Sequence, residues 1–222
     1  MPDSSARRPL KSRNVVLFQK CAAGLARAGV SPNAISAASI VFGILAGLAL
    51  AATAHCADVK LRACWLAAAL CIQGRLLANM LDGMVAVEGR RGGPTGDLWN
   101  EAPDRVSDVA TLLGAGYAAG SDPLLGFGAA IMAVFVAYVR ALGASVGAGQ
   151  IFLGPQAKPH RMAVLTGAGV LSAIFPTYPA VTGTPPIPLI WIALWIVILG
   201  GALTAWRRLA RIAEHLRRTR TS

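Results

Sequence analysis

The sequence predicts an all-α integral membrane protein with six transmembrane helices. Interfacial helices flank the core at both ends, and both termini are cytoplasmic. Three observations predict it. The 222 residues are 55% hydrophobic and 14% charged, with mean hydropathy +0.56, whereas globular domains average roughly 25% charged residues. Apolar runs recur along the chain, each long enough to cross a hydrocarbon core of about 30 Å. Basic residues are also unevenly shared: sixteen Lys or Arg fall in the segments assigned to one side of the membrane and two, Lys60 and Arg62, in those of the other, the asymmetry that sets orientation. A soluble helical core is the competing reading, and the low charge content argues against it.

The elements follow in order, within a single domain over 1–222. Residues 1–30 form a basic juxtamembrane segment. Val15, Val16, Phe18, Ala22 and Leu25 lie on one face and Lys20 and Arg27 elsewhere, the pattern of a helix lying in the interface; a partly ordered basic tail is the alternative. Ser31-Pro32-Asn33 then breaks the chain and starts a helix, because Ser or Asn caps and Pro is tolerated in the first turn. The six-helix core occupies 31–206. Its first span, about 34–54, is rich in Gly, Ala and Ser, which allow close packing in lipid. The second covers about 61–85 and the third about 97–119. The fourth covers about 124–146, the fifth about 162–174 and the sixth about 189–206. Trp191 and Trp206 fall at opposite ends of the last span, where indole rings favour the interface. Residues 207–222 form a basic cytoplasmic helix.

Composition excludes some classes. The net charge of +11 and pI near 10.6 would suit nucleic acid, but the cations cluster at the ends and beside apolar spans. That pattern matches contact with anionic membrane lipids, and no nucleic-acid motif is present. Cys21, Cys56, Cys64 and Cys71 lack metal-ligand spacing. Cys64 and Cys71 read as small packing residues, and a Cys56–Cys64 disulfide stays open. No cleavable signal peptide is expected, since the first apolar run starts late.

The chemistry concentrates between Asn79 and Asp108. Five acidic residues, Asp82, Glu88, Asp97, Glu101 and Asp104, fall there, with Asp108 at its end. Ionisable groups at membrane depth are costly and mark partners or sites. Arg75, Asn79 and Asp82 are spaced to share one helix face, as are Asp97, Asn100, Asp104 and Asp108. Arg75 is therefore expected to point inward, toward the acidic cluster. Carboxylate and amide oxygens on two facing helices suit hard cations such as Mg²⁺, Mn²⁺ or Ca²⁺. Such ions polarise phosphate oxygens. Gly83, Ala86 and Gly96 leave room for a nucleotide against the backbone, and Arg75, Arg140, Lys158 and Arg161 are placed to hold phosphates. The composite points to a reaction on a phosphate ester or anhydride at the membrane surface. Blander readings stand beside it: Asp97 as a helix cap, Asp108 paired with Arg105 or Arg140, His160 solvated, and Arg90 and Arg91 as ordinary cytoplasmic-side cations.

The segment Asn79-x2-Asp82-Gly83-x2-Ala86-Val87-x8-Gly96-x3-Asn100-x3-Asp104 resembles the motif DxxDGxxARx8GxxxDxxxD of the CDP-alcohol phosphotransferases, with every spacing kept. The Ser31-Pro32-Asn33 entry, Arg75, Tyr138-Val139-Arg140-Ala141 and Lys158-Pro159 extend the likeness over most of the chain. The resemblance implies a membrane enzyme, commonly a homodimer, that transfers a phosphoryl-lipid unit from a CDP-linked donor such as CDP-diacylglycerol to a small alcohol and releases CMP. It implies that Asn79, Asp82, Asn100 and Asp104 line a site for one or two Mg²⁺ or Mn²⁺ ions, with Asp104 as general base. Gly83, Ala86 and Gly96 would flank the nucleotide, and Lys158 would lie near phosphate. The site would face the cytoplasm from the inner (plasma) membrane. Three positions depart from the motif. Asn79 and Asn100 replace aspartates and Val87 replaces arginine; Glu101 is long enough to compensate for one lost charge. A non-catalytic nucleotide- or lipid-binding protein on the same scaffold is the second reading, and a transporter the third.

Overall fold

The computed structural model describes residues 16–88, 96–175 and 188–220. For Val87, Glu88, Gly96, Asp97, Asn100 and Arg220 it describes the backbone only. The order is α1 (Val16–Arg27), α2 (Pro32–Ala52), a 3₁₀ turn (Thr53–His55), α3 (Asp58–Glu88), α4 (Gly96–Gly116), α5 (Pro123–Ser145), α6 (Lys158–Ile174) and α7 (Leu189–Arg220). No strand occurs among the described residues.

Local chemistry explains the starts. The Ala34 N–H donates to Ser31 Oγ at 3.2 Å with Pro32 beside it, so α2 begins at the expected break. At α5 the Leu124 N–H donates to Asp122 Oδ1 at 2.8 Å, and Pro123 follows. Both pairings satisfy an orphan donor while a fixed φ pre-forms the first turn. α6 starts at Lys158, four residues before the expected span, with Pro159 in its first turn.

α2 packs along both α3 and α4, while the backbones of α3 and α4 hardly approach each other. The α2–α4 seam is made of small residues: Gly43 lies against Ser107, Gly47 against Ala110, and Gly114 against the backbone of Gly47. A methyl group at 114 would strike main chain that cannot rotate away. Gly114→Ala should therefore destabilise the protein by about 1–3 kcal/mol, read as a lowered Tm in detergent; an unchanged Tm would contradict this packing. The main apolar core joins Leu50, Trp65, Ile72, Leu112, Met162, Leu165, Ile190, Leu194 and Val197 from α2, α3, α4, α6 and α7. A smaller cluster seats α1 on α3 through Ala22, Ala78 and Val85.

Four helical stretches are long and apolar enough to cross a membrane: Pro32–His55, Asp58–Ala86, Pro123–Ser145 and Leu189–Thr219. Their outward faces show Leu48, Leu70, Ile131 and Leu199, the build of a multi-pass membrane protein. The other two expected spans do not meet that test alone. α4 carries Glu101, Asp104, Arg105 and Asp108, and α6 has 17 residues.

One expectation is corrected here. α7 does not stop at Trp206 and restart as a separate tail helix; it runs unbroken to Arg220. Nothing between Ala202 and Arg220 breaks it, since that stretch has neither Gly nor Pro. Arg208, read from sequence as part of a basic cytoplasmic helix, is buried.

Candidate functional site

The polar groups gather where α3, α4, α5 and α6 converge. Pro103 lies eight residues into α4. A proline there removes one helical hydrogen bond, and one turn later Ser107 Oγ donates to the Pro103 carbonyl at 2.8 Å. From this segment α4 presents Glu101, Asp104 and Asp108 along one side, as their spacing predicts.

Asp108 is the deepest of them, 1% exposed, and takes two arginines. Arg75 Nη2 donates to Oδ1 at 2.5 Å and Arg161 Nη2 to Oδ2 at 2.7 Å. Arg75 also donates Nη1 to Met162 Sδ at 3.0 Å, and Arg161 donates Nη1 to the Gln156 carbonyl at 2.9 Å. One carboxylate thus ties α3, α4 and α6 together. Arg75 points inward as expected, yet neither Arg75 nor Arg161 lines the cavity described below. Asp108 pairs with these two, not with Arg105 or Arg140.

One turn nearer the α4 N-terminus, Asp104 receives Lys158 Nζ on Oδ1, with Arg105 Nη2 3.7 Å from Oδ2. Another turn on, Glu101 grips Arg140 Nη2 with both oxygens, at 2.5 and 2.6 Å. Arg105 adds a contact to Glu101 at 3.3 Å. The Arg140 guanidinium lies 5.9 Å from the Phe152 ring centroid, within cation–π range. Asp82 stands on α3, buried, accepting the Ser36 hydroxyl at 2.7 Å and its neighbour Gly83 N–H at 2.5 Å. Lys158 and Asp104 are close enough to act electrostatically on its carboxylate. Gly83 and Ala86 are half-buried beyond it on α3. The Gly96 and Asn100 side-chain positions lie outside the described residues.

A cavity of about 180 Å³ opens beside these groups. Asn79, Asp104, Arg105, Arg140, Lys158 and Arg208 supply its polar lining, and Leu76, Met80, Val136 and Phe152 its apolar part. Asn79 lines the cavity, and its buried Nδ2 has no hydrogen-bond partner. Four cations against one aspartate make the wall electropositive, suited to phosphate oxygens. Sequence reasoning missed Ser36, Phe152 and Arg208. Arg208 donates to the carbonyls of Leu153 and Val136 at 2.9 and 3.0 Å; its only sequence signal was an arginine on the apolar face of a long amphipathic helix.

The oxygen donors can be weighed as a metal site. Asp82, Asp104 and the Asn79 amide oxygen are hard donors suited to Mg²⁺ or Mn²⁺. Among the described residues no three Asp, Glu, His or Cys side chains form a metal-holding group, and the described donors that could contribute are two carboxylates and an amide. That set fits a divalent cation with less negative charge than the four-aspartate motif provides.

This helical fold is one already seen in solved structures. Among solved structures, the chain is similar to the phosphatidylinositol phosphate synthase PgsA1 of Mycobacterium tuberculosis. The form with CDP-DAG bound gives a TM-score of 0.69 at 20% identity, covering 88% of this chain and 93% of that one. The form in complex with manganese and citrate gives 0.70 at 20% identity, covering 88% of each. The apo form gives 0.66 at 21% identity, covering 87% and 94%. No family model and no curated protein matches the sequence.

Proposed function

We propose that this chain is a CDP-alcohol phosphatidyltransferase of phospholipid biosynthesis. It transfers a phosphatidyl group from a CDP-linked donor, CDP-diacylglycerol, to a small alcohol and releases CMP. The observation that carries the reading is Asp104, held by Lys158 at the wall of an electropositive cavity, with Asn79 beside it and Asp82 close behind. The kept motif spacing and the shared fold support it. The six helices α2–α7 span the inner (plasma) membrane, with both termini and the site on the cytoplasmic side, and residues 1–222 act as one domain, as a homodimer.

The chain's own groups have distinct tasks. Asp104 takes the proton of the attacking hydroxyl. Lys158 orients that carboxylate and offers its ammonium to the donor's phosphates. Arg140, backed by Phe152 and held by Glu101, and Arg105 complete the cationic wall. Gly83, Ala86 and Gly96 leave the backbone open to the cytidine. Arg75 and Arg161 act through Asp108, fixing α4 and α6 so that Asp104 and Lys158 meet. Asp82, Asp104 and Asn79, with Asn100, would hold one or two Mg²⁺ or Mn²⁺ ions, which would supply charge neutralisation at the diphosphate.

The test is CMP release from CDP-diacylglycerol by purified protein with Mg²⁺ or Mn²⁺ and a panel of alcohols. Metal-dependent CMP with one alcohol is expected. Folded protein that releases none with any alcohol or metal would overturn the reading. The reduced charge also predicts a gain of function. Asn79→Asp adds a carboxylate, and affinity for hard cations rises with ligand charge. It should lower the Mn²⁺ concentration for half-maximal thermal stabilisation by about tenfold. An unmoved midpoint would remove Asn79 from the ligand set.

A further inference from the structure

The two cysteines at the opposite end of α2 and α3 are placed for a bond. Thr53 fixes this corner: its hydroxyl donates to the Leu50 carbonyl at 2.5 Å and accepts the Ala119 N–H at 2.9 Å. The chain then turns through Cys56 and Ala57 into α3. Asp58, at φ +50°, is the one non-glycine with positive φ among the described residues. That tight corner carries Cys56 back over the second turn of α3, where Cys64 lies. Their sulfurs are 3.7 Å apart, and each is half-buried. A disulfide requires about 2.05 Å, and the two sulfurs already stand in van der Waals contact. Cys21 and Cys71 are the other free thiols, one exposed on α1 and one half-buried in α3.

We propose that Cys56 and Cys64 form a disulfide that staples the α2–α3 corner. This rests on the orientation given above. Ser36 and Cys56 are twenty residues apart on one nearly continuous helical run, about 30 Å at 1.5 Å per residue, so a cytoplasmic site places the cysteines on the far, oxidising side. The oxidant is a disulfide, either a small molecule or a protein. One cysteine thiolate attacks a sulfur of that disulfide and expels one thiolate. The second cysteine thiolate attacks the mixed disulfide and expels the other. Both cysteine protons are released, and the incoming disulfide leaves as two thiols, having taken the two electrons. The staple locks the far ends of the two helices whose near ends bring Ser36 to Asp82.

The test uses the full chain in the membranes of the cells that make it. Membranes are dissolved in SDS with excess N-ethylmaleimide and no reductant, so that every free thiol is alkylated. Lys60 and Arg62 lie between the two cysteines, so trypsin converts a disulfide into two peptides joined only by sulfur. The expected result is that joined species, free of maleimide at Cys56 and Cys64, separating on reduction, with Cys21 and Cys71 alkylated. Maleimide on both Cys56 and Cys64 in most of the protein would overturn the proposal. A second arm reduces intact cells and applies a membrane-impermeant maleimide. Where the first arm finds the thiols free, labelling from outside overturns the pairing alone; no labelling of the reduced thiols from outside overturns the orientation, and the proposal with it. Neither result depends on CMP release, which the turnover assay reads separately.

Discussion

Asp104→Asn is expected to lower CMP release by about 10³-fold, within the 10²–10⁴ range that general bases contribute, while leaving the fold in place. Asparagine keeps the shape, and its carbonyl oxygen can still accept Lys158, so the wall of the cavity stays closed. It cannot take a proton from an attacking hydroxyl. The proper comparison is with Lys158→Gln, which leaves the carboxylate but loses its orienting ammonium and should cost less. Two measurements decide the matter: single-turnover CMP release and Tm in the same detergent. Near-native turnover by Asp104→Asn would end the assignment of Asp104 as base. A collapsed Tm would show instead that the residue is chiefly structural.

Asp108→Asn should have the largest effect on stability. The carboxylate is 1% exposed, Arg75 0% and Arg161 3%. Removing the negative charge leaves two guanidinium groups facing each other with no counter-ion. Breaking a buried pair by deleting one partner costs about 3–5 kcal/mol, and here one deletion breaks two pairs. Arg75 Nε and Arg161 Nε already lack partners, so the site has little spare bonding with which to compensate. A double variant, Asp108→Asn with Arg161→Gln, should lose less than the sum of the single changes, because it also removes one stranded cation. Strict additivity, or a Tm for Asp108→Asn close to wild type, would contradict the ion triad.

The sequence made some of this architecture legible and hid the rest for identifiable reasons. The helix start at Pro32 follows from capping chemistry that acts within four residues, and the structure has it where expected. The inward turn of Arg75 followed from the cost of leaving a guanidinium in lipid. Partner choice was not legible. Arg75, Asp108 and Arg161 come from three different helices, and spacing along each says nothing about which faces meet. Arg208 was hidden for a related reason: charge content marked residues 207–222 as a basic cytoplasmic helix, but uninterrupted helix propensity carried α7 onward and that arginine is buried. Glu101 was read as a spare metal oxygen, whereas the structure shows both its oxygens on Arg140.

The seam of small residues between α2 and α4 bears on how the two halves of the motif are spaced. α3 and α4 carry those halves, yet the backbone of each packs along α2 and hardly approaches the other. α2 is therefore a shim whose thickness sets the gap between the Asp82 and Asp104 carboxylates. At Gly43 and Gly47 the shim is as thin as a polypeptide can be. Any side chain there would widen the jaws without touching a substrate, so a helix with no motif residue governs the bite of the site.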